Sequence, residues 1–236
     1  MRATPHRVPA PGTREQRKRV AKGLSASPTA GAIREAATYL FAEHGYEMTT
    51  MKAIADRVGL QPSAIYNHFE SKQALLRDIA QGTIRSLIDD AHAAIESFSD
   101  PGEQLMRATR AHIRMHTDQR YRAHVANREI PSLEEPARSE QIVLRQEYVN
   151  IYERMIVRGL RVGAFSGVRA PRITAYAILQ MGIGVSTWFH EDGPLSAGEV
   201  ADLYAEMALR MVGHASETAR DENRLSPPSP LGAAPT

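Results

Sequence analysis

The sequence contains no cysteine, which removes disulfide frameworks, thiolate nucleophiles and thiolate metal sites together and suits a reducing compartment. It also lacks any apolar run approaching the roughly 20 residues needed to cross a bilayer. The N-terminus is basic and proline-containing, without the apolar stretch of a secretory leader. A soluble, cytoplasmic protein without membrane partners is expected. No Gly-x-Ser-x-Gly elbow, phosphate-cradling glycine loop or His-Glu-x-x-His pair occurs, so no catalytic residue, cofactor or metal is expected. Sustained period-two alternation and Asn-Gly hairpin signals are missing too, which leaves an all-α chain.

The 236 residues suffice to bury one sizeable core, or a small domain joined to a larger one. The formal charge of +2 is unevenly spread. Residues 1–27 carry Arg2, Arg7, Arg14, Arg17, Lys18, Arg19 and Lys22 against only Glu15. The remainder is therefore slightly acidic, and attraction to a polyanion has to be local. With Pro5, Pro9, Pro11 and Gly12 and no apolar periodicity, residues 1–27 are expected to be a disordered basic arm, able to lie along phosphates or enter a minor groove. A proline-rich tail, also expected to be disordered, is assigned to 214–236.

Between the tails, helical spacing divides the chain into a three-helix unit within 28–80 and a larger helical body over 81–213. The first helix is expected from about Thr29 to His44, ended by Gly45. A second carries Met51, Ile54, Ala55 and Val58 and stops at Gly59. A third runs from Pro62 to about Phe69, and a fourth from Ser71 to Phe98, across the boundary near Ala80. Further helices are expected over Gly102–Thr117, Tyr121–Ile130, Pro136–Gly163, Pro171–Phe189 and Ala197–Val212.

The stretch from Thr49 to Phe69, TTMKAIADRVGLQPSAIYNHF, holds two short amphipathic helices joined at Gly59, the spacing of a DNA-reading helix-turn-helix. Leu60, Ile65 and Phe69 face inward, whereas Pro62, Ser63, Tyr66 and Asn67 occupy another face. Pro62 suits the first helical position and holds Gln61 extended, so that the carboxamide projects from the helix start. A glutamine there matches the N7 and N6 of adenine, and Ser63 can add a less selective contact. Tyr66, His68, Lys72 and Thr50 suit phosphate oxygens, which fix register without reading sequence.

Gly45 with Tyr46, followed by TTMKAIADRVGLQPSAIYNHFESKQALL, resembles the N-terminal domain of TetR-family regulators over roughly Thr29 to Ile79. The resemblance implies a two-fold homodimer whose recognition helices enter successive major grooves of a palindromic double-stranded operator. It also implies base-reading positions at Gln61, Pro62 and Ser63, and phosphate positions at Thr50, Tyr66, His68 and Lys72. Pro62 and Asn67 depart from the residues more common there, which leaves the operator sequence open.

In the body, Ile173, Ala177, Ile178, Met181, Val185 and Trp188 form one apolar face, and Val200, Leu203, Tyr204, Met207 and Met211 form another. Either both are buried within one protomer or they build a four-helix dimer seam with Gly182, Gly184 and Ser186 allowing close approach. The family resemblance favours the seam. It also places a ligand pocket among the middle helices, to which Met106, Met115, Tyr148, Tyr152, Met155 and Met181 would contribute. The stretch WFHEDGPLSAGEV resembles that of TetR-like regulators responding to acyl-coenzyme A thioesters, and Arg154, Arg158 and Arg161 are either a phosphate site or a solvated helix face. His112 and His116 stand four apart, as a metal pair or as a solvated face.

The function expected is a repressor released from its operator by a small-molecule effector. The alternatives are a similar DNA-binding protein controlled by a protein partner or acting without ligand, and, from another class, a small helical enzyme.

Overall fold

The computed structural model describes residues 30–214, and all regular structure among them is helical. The helices are α1 (Ala30–His44), α2 (Met51–Val58), α3 (Pro62–Ile65), α4 (Lys72–Ser97), α5 (Pro101–Asp118), α6 (Arg120–Arg128), α7 (Ala137–Arg161), α8 (Pro171–Trp188) and α9 (Ala197–Met211), with a 3-10 turn at Ile130–Ser132. The basic arm and the proline-rich tail lie outside the described residues, apart from His214 at the tail's edge.

Local chemistry sets the boundaries. Thr50, Ser71, Asp100 and Ser196 each accept a backbone N–H three residues ahead, from Ala53, Ala74, Glu103 and Glu199. At Ser196 the Glu199 carboxylate reaches back to complete a capping box. Gly59 closes α2 at φ 73°, a left-handed conformation that a side chain resists. Helix α3 is shorter than its spacing suggests: it ends at Ile65, and residues 66–68 continue as a turn in which His68 and Phe69 N–H both bond the Ile65 carbonyl.

The three-helix unit is built on Ile33, Ala37 and Phe41 of α1, Ile54 and Ala55 of α2, Ile65 of α3, and Leu75, Leu76 and Ile79 of α4. The same core continues into the body through Val125 of α6, Leu133 and Ala137. Helix α4 then leaves this core without a break and contributes Ile84, Leu87 and Ala91 to a second one, with Leu105, Tyr152 and Ile178.

A third cluster joins α5, α8 and α9 through Ile113, Val185, Phe189 and Val200. This corrects two of the expected dimer residues. Val185 is fully buried inside the protomer. Gly182 is buried where a Cβ would stand 2.3 Å from the ring of His112. At 100° per residue Gly182 lies about 120° or more from Ile173, Gly184 and Trp188 on the open strip of α8, whereas Val185 stands only about 60° from Trp188 and is enclosed by its packing with Ile113, Phe189 and Val200. Small residues do permit a close approach here, but it is that of α5. Trp188, Leu203, Met207 and Met211 remain 38–48% exposed. No helix among the described residues is long and apolar enough to cross a membrane.

Candidate DNA-reading face and effector cavity

Gln61, Ser63, Tyr66, Asn67 and His68 are exposed together around the start and end of α3, and Pro62 is half-buried beneath them. Ile65 and Phe69 are buried as their spacing requires. Gln61 is extended, with φ −71° and ψ 143°, and its side chain makes no capping bond, so its carboxamide is free to face a base edge. Thr50 already accepts the Ala53 N–H at 3.1 Å and keeps its own hydroxyl hydrogen to donate.

Lys72 is differently placed. Its ammonium donates to the carbonyls of Tyr46, Glu47 and Thr49 at 2.9, 3.4 and 3.1 Å and sits 4.1 Å from the Tyr46 ring centroid. The lysine thus ties the start of α4 to the loop before α2, and a phosphate has to displace one of these carbonyls to reach it. The remaining cations of residues 30–80 are also engaged. Arg34 bonds Asp78, Lys52 bonds Asp56 at 2.7 Å, Arg77 lies 3.8 Å from Glu70, and Arg57 covers the Tyr39 ring at 3.8 Å.

In the body, a cavity of about 310 Å³ lies between α4, α5, α6, α7 and α8. Thr83, Ile84 and Leu87 of α4 form one wall, and Leu179 and Ile183 of α8 face it. Of the residues expected to bind ligand, only Tyr148 lines it. Met115, Tyr152 and Met155 are buried in solid core beyond it. Met181 points away, since the turns of α8 that meet the cavity carry Tyr176, Leu179, Gln180 and Ile183.

The polar lining comes from residues whose types alone gave no such signal. His112 and His116 are buried rather than solvated. The Leu179 carbonyl, 3.0 Å from His112 Nε2, can only accept, so Nε2 carries the proton and donates to it, and Nδ1 is left to accept from the Tyr148 hydroxyl at 3.1 Å. His116 Nδ1 donates to the His112 carbonyl at 2.8 Å, and its Nε2 accepts from Asn127 Nδ2 at 3.3 Å. The Asn127 Oδ1 in turn accepts from both terminal nitrogens of Arg145, at 3.0 and 2.5 Å. This bonding needs both imidazoles neutral. Burial holds each below the ordinary histidine value, reinforced at His112 by His116. Burial likewise pushes the Tyr148 hydroxyl well up.

Gln141 is fully buried against the same space; its Nε2 donates to the Ala80 carbonyl at 3.4 Å and its Oε1 has no partner. Arg158 lies elsewhere, bonded to Gln104 Oε1 and the Ser99 carbonyl, and neither it nor Arg154 or Arg161 reaches the cavity.

A capped helix-turn-helix presenting polar side chains, carried on a helical body with its own cavity, defines a DNA-binding transcriptional regulator. Residues 33–79 match the family model described as bacterial regulatory proteins, tetR family, and residues 99–212 match the tetracyclin repressor-like C-terminal domain. The chain belongs to the TetR family. It is 32% identical to a tetR-family regulatory protein from Rhodococcus RHA1, whose crystal structure superposes with a TM-score of 0.73 over 81% of this chain and all of that one. The transcriptional repressor KstR2 of Mycobacterium tuberculosis is 26% identical over 183 residues, 76% of this chain and 90% of its own. AibR, solved with isovaleryl coenzyme A and operator DNA, shares the fold at a TM-score of 0.69 and 24% identity, over 79% of this chain and 99% of its own.

Proposed function

We propose that the chain is a cytoplasmic, homodimeric repressor that holds a palindromic operator with two helix-turn-helix units and releases it when a small molecule fills the cavity. The observation that carries this reading is helix α4. Its first residue, Lys72, is bonded to the loop that leads into α2, and Thr83, Ile84 and Leu87 of the same helix line the cavity. With 1.5 Å of rise per residue, about 16 Å of continuous helix joins the two places. The effector acts by favouring the spacing that does not fit DNA, and weakens operator binding by as much as it prefers that state. No bond is made or broken.

In this reading Gln61 and Ser63 read base edges beside Pro62 and Asn67, while Thr50, Tyr66 and His68 hold phosphates, joined by Lys72 if it exchanges a carbonyl for one. The exposed strip of Trp188, Leu203, Met207 and Met211 supports the dimer seam. An acyl-coenzyme A thioester, suggested by the WFHEDGPLSAGEV stretch and present in the AibR structure, has to leave its nucleotide outside so small a cavity. The test is selection of genomic fragments by purified protein, followed by release assays with thioesters of several chain lengths. A shared palindrome among the bound fragments is expected. Failure to enrich any sequence sinks the repressor reading, and thioesters without effect on release or on thermal unfolding remove the acyl-coenzyme A effector.

A further inference from the structure

Arg145 enters the cavity wall as a partly buried cation. No carboxylate among the described residues lies within 4.0 Å of its guanidinium. Its partners are neutral acceptors, the Asn127 Oδ1 and, at 3.5 Å, the Ala126 carbonyl. A guanidinium cannot shed its proton to escape burial, so apart from the water that reaches its exposed part, this cation has no charge partner within the protein and is suited to an anion that enters the cavity. The other ionisable side chains of the lining, His112, His116, Tyr148 and Tyr176, offer none: the bonding pattern keeps both imidazoles neutral, and the tyrosines are phenols.

Gln141 adds a second requirement. Its amide is oriented by the bond to the Ala80 carbonyl, which leaves Oε1 as a buried acceptor without a donor. Gln141, Arg145 and Tyr148 follow one another at i, i+4 and i+7 along α7, so anion site and acceptor share one face of one helix. Across from them stand Ile84, Leu87, Leu179 and Ile183, which give a polar solute nothing to bond and an apolar body a dry wall. The volume, about 310 Å³, lies at the small end of the range of roughly 300–1,000 Å³ usual for sites that hold small organic molecules.

We propose that the cavity takes a compact organic acid, with its carboxylate on Arg145, its apolar body against α4 and α8, and a hydroxyl or N–H of the same molecule on Gln141 Oε1, which a small shift of the enclosing wall has to uncover. This rests on the ligand-released reading above and names the ligand class.

The experiment uses the full chain and three probes: 3-hydroxyoctanoate, octanoate and methyl 3-hydroxyoctanoate, with affinities from calorimetry. A charge-assisted pair in a desolvated site predicts that the hydroxy acid binds at least about tenfold tighter than its ester. Octanoate falls between them. Arg145→Gln removes the preference for acid over ester, Arg145→Lys keeps part of it, and Gln141→Leu removes the preference for the hydroxyl, each in protein that still unfolds cooperatively. Equal binding of acid and ester, binding of none of the probes, or an acid preference that survives Arg145→Gln overturns the proposal. Acid binding that leaves the operator complex intact keeps this inference and defeats the release mechanism. Release by thioesters with no acid preference does the reverse.

Discussion

Two buried imidazoles make the protein's stability depend on pH in a fixed direction. In the unfolded chain His112 and His116 take up protons as the pH falls through the ordinary value of 6.5, whereas in the fold burial holds them neutral to lower pH. The unfolded state then binds more protons, so stability is full above pH 6.5 and declines as the pH falls below it. Each histidine contributes up to about 1.4 kcal/mol per pH unit until its folded-state value is reached. Urea midpoints are expected to drop between pH 7.5 and 5.5, and to drop less in His116→Gln. Equal slopes in the two proteins would place the acid sensitivity elsewhere.

Gly182 gives a second prediction at this scale. A methyl group there meets a His112 ring held at both nitrogens, which cannot swing aside. Gly182→Ala is expected to cost about 1–3 kcal/mol in urea unfolding while leaving the dissociation constant of the proposed dimer unchanged. A weakened dimer with normal stability would return Gly182 to the seam. The sequence could not make this distinction, because a small residue on a helix allows close approach to whichever neighbour arrives. Arg145 and Asn127 were illegible for a related reason. The chain of bonds from Leu179 to Arg145 crosses α8, α5, α6 and α7, and no spacing within one helix reports it.

Among the elements, the helices were largely readable, because proline, glycine and capping side chains mark their ends. Ser71, Pro101, Pro171 and Ser196 all sit where the sequence placed a start, within a residue or two. Helix α3 was read too long, since Tyr66, Asn67 and His68 are compatible with helix and only the turn geometry ends it at Ile65. In the proposed reading that turn leaves the two classes of contact on separable residues. Gln61→Ala is expected to reduce discrimination at one operator position by about 1–3 kcal/mol while leaving the salt dependence of binding unchanged. Tyr66→Phe, which deletes a hydroxyl, is expected to weaken all sequences alike. Competition binding on a set of single-base operator variants distinguishes them, and uniform weakening by Gln61→Ala would assign that residue to the backbone.

At the scale of the whole molecule, the helix-turn-helix unit has its basic side chains engaged internally, from Arg34 with Asp78 to Lys72 with three carbonyls. In the proposed reading the basic arm of residues 1–27 is the main reserve of charge for phosphates. Deleting residues 1–22 is expected to lower operator affinity and to flatten the salt dependence, the slope falling by about one for each phosphate that the arm no longer neutralises. An unchanged slope assigns the arm no part in the grip.

The core that runs from Ile33 and Phe41 through Leu76 into Val125, Leu133 and Ala137 carries a further consequence. A helix-turn-helix unit that shares its interior with the helical body is not a portable cartridge. A chimera that grafts residues 30–80 onto another regulator would bring half of a fitted interior against foreign side chains, where mismatched volumes cost stability and blur the register of α4. New operator preferences are therefore reached more readily by exchanging the exposed residues of α3 than by trading whole domains.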